Sequence, residues 1–310
     1  FSSNETGNVE QFINVSHEKG RSFIVARQGK GLWAFEAQNI TNNGAFVKLP
    51  PTGPNYWDDI SWIGFDSARD KSFFAIKNQE LVRIQWGKWN QERVDYPVDL
   101  FRQQHNIIAY YPLFPERKDL FVLAQGAIHM QEATSNSGRD IYFSSKTGQV
   151  YPGNMIKTVN GGLFFADRER RNLYFSDMCE AQDGFYAEHV FGPTAYPSPS
   201  FCVDAKGIVY AAESVSQRLH VVLPDSHWNC ISCGKHSAER SQDMRCPFCG
   251  AELPEIGEKY RLWFDIDLSG IGTEIGPIHV DADLRLYVVT EGKNLFELPL
   301  QKNDFWGTAP

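Results

Sequence analysis

The sequence predicts an all-β fold, specifically a β-propeller of six four-stranded blades. Aromatic residues make up 14% of the 310 residues while only 4 are Met, a bias that favours strands. No long segment shows the periodicity of an amphipathic helix. A pattern of short strands recurs about every 45 residues, and a period in the forties with several strands per repeat is typical of propeller blades. A β-sandwich or two small β domains would explain the strands but not the constant period.

The two clearest copies of the repeat begin at Phe201 and Ile278. The first contains Val-Asp-Ala-Lys-Gly-Ile-Val-Tyr, and the second contains Val-Asp-Ala-Asp-Leu-Arg-Leu-Tyr. Weaker copies begin near Phe12, Trp62, Ile107 and Lys157. Each copy supplies three strands. Further strand candidates are predicted to supply the fourth, and they lie at Ala45–Leu49, Arg93–Val98, Glu188–Phe191 and Tyr260–Ile266.

The spacing of the copies predicts one insertion and a closed ring. The first five copies start about 44 to 50 residues apart, as expected for blades. The last gap is about thirty residues longer because it contains a cysteine-rich segment, His227–Ile256. The sequence therefore predicts five blades in residues 1–226, a zinc-ribbon insertion between the fifth and sixth blades in residues 227–256, and the sixth blade with the ring closure in residues 257–310.

The C-terminal segment is predicted to close the ring. The distance along the sequence from Ile278 to the C-terminus and on to Phe12 corresponds to one ordinary repeat. We therefore expect the segment around Phe305 and Trp306 to pair with the first blade, which contains Phe12–Val15 and Leu32–Phe35. Such pairing removes two open sheet edges that would otherwise favour aggregation.

Four of the six cysteines form two knuckles with the spacing of a metal site. They are Cys230 and Cys233, then Cys246 and Cys249, with twelve residues between the pairs and a Gly after each pair. Two Cys-x-x-Cys pairs supply four thiolates for one tetrahedral Zn²⁺. Because four sulfurs close the coordination shell, the predicted role of the ion is structural. Redox chemistry at a Cys-x-x-Cys pair is the alternative interpretation.

The cysteine pattern also bears on location. A secreted disulfide framework would spread its cysteines over the fold, whereas clustered pairs are typical of metal sites in a reducing compartment. No basic-then-apolar leader follows Phe1, and no apolar run reaches the roughly 18 residues of a membrane span. We therefore expect a cytoplasmic protein that does not bind membranes.

The charge of the chain argues against a nucleic-acid partner. The net charge is −8 at pH 7. Within residues 227–256, three basic residues are outnumbered by four acidic ones, and no basic stripe alternates with aromatic residues. A protein partner is therefore expected instead.

One blade carries a family resemblance. The run Val203–Glu213, followed by Arg218-Leu-His-Val-Val, resembles a blade of the NHL and SMP-30/gluconolactonase-like six-bladed propellers. The resemblance covers two blades well and the others in outline. It implies a six-bladed ring. The lactonase-like enzymes also need calcium held by oxygens from several blades. Bacterial propellers that assemble with MoxR-type AAA+ ATPases and von Willebrand A-type proteins are a further, weaker resemblance.

The leading functional hypothesis is a non-enzymatic interaction scaffold. A rigid ring would present its loops and the zinc ribbon to a protein partner, with Trp228 or Phe248 as the aromatic anchor. The ribbon is expected to project from the same face as the loops at Asn39–Gly44, Gly87–Glu92, Thr134–Arg139 and Glu180–Tyr186.

The alternative hypothesis is a metal-dependent hydrolase or lactonase with a divalent cation in the central funnel. Asp58, Asp59 and Asp66 lie beside aromatic residues such as Trp62, and together they could line such a pocket. Carboxylates and amides from several blades that converge at one end of the channel would favour this enzyme over the scaffold.

Overall fold

Every regular element that the structure describes is a β-strand. In the computed structural model, the described residues are 9–18, 21–28, 31–38, 47–48, 59–65, 71–85, 90–94, 107–113, 118–123, 128–132, 138–159, 162–167, 172–178, 180–181, 184–193, 200–204, 207–224, 228–229, 236–237, 245, 249–251, 260–281, 285–291 and 294–299. Their strands form seven sheets of three or four strands and one two-stranded hairpin.

The first three sheets follow one another along the N-terminal half of the chain. Sheet 1 contains β1 (Val9–Glu18), β2 (Arg21–Gln28) and β3 (Gly31–Gln38). Sheet 2 contains β5 (Ile60–Phe65), β6 (Ser72–Lys77), β7 (Glu80–Gln85) and β8 (Gln91–Arg93). Sheet 3 contains β9 (Ile107–Leu113), β10 (Lys118–Leu123), β11 (Ile128–Glu132) and β12 (Gly138–Ile141).

Sheets 4 and 5 interleave in the sequence. Sheet 4 is small and has the order β14 (Gly148–Val150), β13 (Phe143–Ser145), β19 (Gly184–Tyr186) and β18 (Glu180–Ala181). Sheet 5 contains β15 (Pro152–Val159), β16 (Gly162–Asp167), β17 (Asn172–Ser176) and β20 (Glu188–Phe191). Strands β18 and β19 therefore lie in the connection between the third and fourth strands of sheet 5.

The last two sheets each use a strand that is distant in the sequence. Sheet 6 contains β21 (Ser200–Val203), β22 (Val209–Glu213), β23 (Arg218–Pro224) and β26 (Tyr260–Asp267). Sheet 7 contains β27 (Ile275–Val280), β28 (Arg285–Thr290), β29 (Asn294–Pro299) and β4 (Val47–Lys48). The hairpin pairs β24 (Trp228–Asn229) with β25 (His236–Ser237).

The sheets are arranged as a propeller. The first strands of six sheets contact one another in a closed series, in the order β1, β5, β9, β15, β21, β27 and back to β1. Within these six sheets the neighbouring strands are antiparallel. The predicted all-β propeller of four-stranded blades is therefore confirmed.

The predicted number of blades is wrong, because the structure has seven rather than six. The additional blade is sheet 4, which contributes no strand to the closed series of first strands and whose strands are only two or three residues long. It contains a parallel pair, in which Phe143 lies opposite Phe185. Strands this short, taken from two separate connections, leave no repeat in the sequence, so counting repeats missed them.

Both faces of a blade are apolar because each packs on a neighbouring sheet. In sheet 2, Phe73 and Ile84 pack toward sheet 1, whereas Phe74 and Leu81 pack toward sheet 3. Alternate residues of a strand point to opposite faces, so a strand buried on both sides reads as a continuous apolar run such as Ser72-Phe-Phe-Ala-Ile. The inter-blade layers therefore form the core.

The ring is closed by an N-terminal strand. Strand β4 pairs with β29, with Val47 opposite Glu297 and Lys48 opposite Phe296, and completes sheet 7. The sequence predicted closure by a segment around Phe305 and Trp306, which lies outside the described residues. The strand predicted at Ala45–Leu49 is therefore present, but it completes the last sheet rather than the first.

Candidate interaction surface

The cysteine-rich insertion leaves and re-enters the propeller at a single point. Residues 225–259 connect β23 to β26, and these two strands are neighbours in sheet 6. Pro224 at the end of β23 pairs with Tyr260 at the start of β26. The predicted position between the fifth and sixth blades is therefore wrong, since the insertion lies between the third and fourth strands of one blade. The reason is that Tyr260–Asp267 completes the sheet that Ser200 begins.

The insertion has the same position within its blade as the segments that were expected to share its face. The predicted loop segments, Asn39–Gly44, Gly87–Glu92, Thr134–Arg139 and Glu180–Tyr186, each follow the third strand of a sheet in the sequence, as the insertion does. The last of them is not a loop, because it contains β18 and β19 of sheet 4. Because strand direction alternates in an antiparallel sheet, connections after third strands emerge at the same end of their blades. The shared face thus follows from equivalent positions within blades.

The predicted zinc ligands are only partly within the described residues. Cys249 is described and exposed, whereas Cys230, Cys233 and Cys246 lie outside the described residues. Asn229, which directly precedes Cys230, pairs with His236 in the hairpin of β24 and β25. The described part of the chain contains no group of three metal-ligating side chains, and that part includes only one of the four cysteines. The zinc site stays a prediction.

Gly250 has the backbone conformation that a zinc knuckle needs. Its φ is +73°, in the left-handed region that glycine adopts without strain. This residue directly follows Cys249, where such a turn directs backbone N–H groups toward a thiolate. The conformation fits the second predicted knuckle.

The predicted aromatic anchors remain predictions as well. The backbone of Trp228 lies in β24, but its side chain is outside the described part of the structure, and so is the whole of Phe248. The hairpin nevertheless fixes the backbone at Trp228, which pairs with Ser237.

A cluster of polar side chains joins three strands of sheet 6. His220 Nδ1 lies 2.6 Å from Asp265 Oδ1, and Arg218 donates to the other Asp265 oxygen at 3.2 Å. On the other side of the His220 imidazole, Nε2 lies 3.7 Å from Glu213 Oε2. The Phe191 ring of sheet 5 packs on the imidazole with centroids 4.9 Å apart. The cluster links β22, β23 and β26 at positions several residues along the strands from the Pro224–Tyr260 pair, where the insertion emerges.

Two of the acidic and aromatic candidates of the enzyme hypothesis, Trp62 and Asp59, are within the described residues, and their surroundings differ. Trp62 is buried, and its ring packs edge-on against Tyr110 and Tyr111 at 6.5 and 5.5 Å. Asp59 is an exposed turn residue with φ of +68°, and Asp58 and Asp66 lie outside the described residues. Trp62 thus belongs to the core between sheets 2 and 3.

Sequence reasoning missed three exposed tyrosines on sheet 4, which are Tyr142, Tyr151 and Tyr186. Each of them is adjacent in the sequence to a buried apolar residue: Tyr142 to Phe143, Tyr151 to Val150 and Tyr186 to Phe185. That alternation, beside the turn Lys146-Thr-Gly148, is the signal of a short half-exposed sheet.

Comparisons with known proteins agree with the fold. A luciferin-regenerating enzyme is similar over 97% of this chain and 94% of its own, with 10% identity and a TM-score of 0.51. The WD40 β-propeller domain of Doa1 matches over 98% and 97% of the two chains, with 8% identity and a TM-score of 0.44. Kluyveromyces lactis Hsv2 matches over 96% and 77%, with 10% identity and a TM-score of 0.45.

The arrangement of the sheets defines the class of the protein as a β-propeller. The similarity to the luciferin-regenerating enzyme, at 10% identity, bears on the fold alone. No family model matches the chain, and no curated protein matches its sequence. Among the described residues, no helix is long and apolar enough to cross a membrane.

Proposed function

We propose that this protein is a non-enzymatic interaction scaffold, in which the propeller presents its loops and a structural zinc ribbon to a protein partner. The observation that carries the proposal is the pairing of Pro224 with Tyr260. A module attached to adjacent strands of a rigid blade has both of its ends held in fixed positions before binding. Less conformational entropy is then lost when a partner docks.

In this proposal Cys230, Cys233, Cys246 and Cys249 hold one Zn²⁺, which organises a segment too short to build its own core. Trp228 and Phe248 are the proposed anchors for the partner. Thiolate ligands require a reducing environment, which favours a cytoplasmic location. We keep as proposals the resemblance to NHL and SMP-30-like propellers and the weaker resemblance to propellers that assemble with MoxR-type and von Willebrand A-type proteins.

The test is deletion of residues 228–253, with a short Gly/Ser linker joining the ends. Because the insertion leaves and re-enters at one point, the deleted protein should keep its thermal transition. Full-length and deleted proteins are then used to capture partners from native extract, with quantitative mass spectrometry as the measurement. We expect the specific partner to be lost on deletion, and the double substitution W228A/F248A should reproduce that loss.

Two outcomes would overturn the proposal. One is unchanged capture by a folded deletion protein, which would leave the ribbon without a docking role. The other is calcium-dependent lactone hydrolysis by the full chain, which would favour the alternative enzyme.

A further inference from the structure

We draw no further inference here: the strongest candidate, the side-chain cluster of His129, Gln131 and Asp140 beside Gly138 on strands β11 and β12 of sheet 3, brings only one imidazole and one carboxylate together with an amide, and the described residues supply no group of three metal-ligating side chains there.

Discussion

Tyr287 Oη donates a hydrogen bond to Asp281 Oδ2 at 3.0 Å, and Asp281 Oδ1 accepts another from Arg285 N at 2.9 Å. One buried carboxylate thus joins the turn between the first two strands of sheet 7 to the second strand. Sheet 6 repeats the arrangement with Asp204 and Tyr210, where the phenol to carboxylate distance is 3.4 Å. The Val-Asp-Ala repeats in the sequence therefore encode a structural connection.

This pair of bonds allows a comparison of two matched substitutions. Tyr287→Phe removes the phenol from the shorter bond and should lower the free energy of unfolding by about 1 kcal/mol. Tyr210→Phe removes the longer bond and should cost less. Urea denaturation of the two variants measures both losses. A larger loss at Tyr210 than at Tyr287 would show that the hydrogen-bond length does not determine the cost.

Gly64 is expected to tolerate no side chain. A Cβ atom at this position would lie 1.9 Å from the Trp62 ring, which is buried between sheets 2 and 3. Gly64→Ala must therefore displace that ring and should destabilise the fold by about 1–3 kcal/mol. Differential scanning calorimetry gives the change in Tm. The matched control is Gly270→Ala, because nothing lies within 4 Å of its Cβ position. Equal Tm values for the two variants would contradict the packing argument.

The architecture was predictable because each blade is encoded locally. The alternation in Phe201-Cys-Val and Val209-Tyr-Ala-Ala and the turn at Asp204 are properties of neighbouring residues, so a single blade can be recognised by itself. The fourth strands β20 and β26 were found in the same way.

What the sequence did not reveal depends on pairing between distant segments. Strand β4 has two residues and pairs with β29, about 250 residues away in the sequence. No pattern in Val47-Lys48 predicts that pairing. Sheet 4 likewise unites segments 143–150 and 180–186. The exposed positions of Tyr142, Tyr151 and Tyr186 could not be predicted because they depend on that sheet. The sequence placed the insertion between two blades, whereas it lies between the third and fourth strands of one blade. The spacing of repeats could not distinguish these positions, because it does not show which strand of a blade each segment forms.

The stability of the closing blade should depend on pH through Glu297. Burial raises the pKa of this carboxyl above its usual range, Asp281 raises it further, and Arg285, 3.4 Å away, opposes the shift. A raised pKa means that the fold favours the protonated form. This stabilising contribution is complete below the pKa of the unfolded chain, about 4.3, and is lost as pH rises through the folded value.

Glu297→Gln tests this prediction because the amide cannot ionise. Between pH 4 and pH 7, the Tm of the natural chain should fall relative to that of the variant, and the difference between the two curves should level off once the folded carboxyl is ionised. Glu92→Gln, an exposed substitution in sheet 2, should follow the natural chain throughout. A constant difference between Glu297→Gln and the natural chain over this range would contradict the assignment.

Zinc should be bound by the insertion and should be dispensable for the ring. Protein purified without added zinc should contain about one equivalent of Zn²⁺ by atomic emission. Cys249→Ser should reduce that content strongly because the site loses one of four thiolates.

The propeller should nevertheless remain folded in Cys249→Ser, because sheet 6 pairs Pro224 with Tyr260 outside the insertion. The main thermal transition of this variant should therefore match that of the natural chain. The matched control is Cys202→Ala, a buried cysteine of β21 in the core between sheets 6 and 7. It should lower Tm because it removes packed atoms, yet it should keep the full zinc content. A zinc content below a third of an equivalent in the natural chain, or one that falls with Cys202→Ala and not with Cys249→Ser, would reject the proposed ligands.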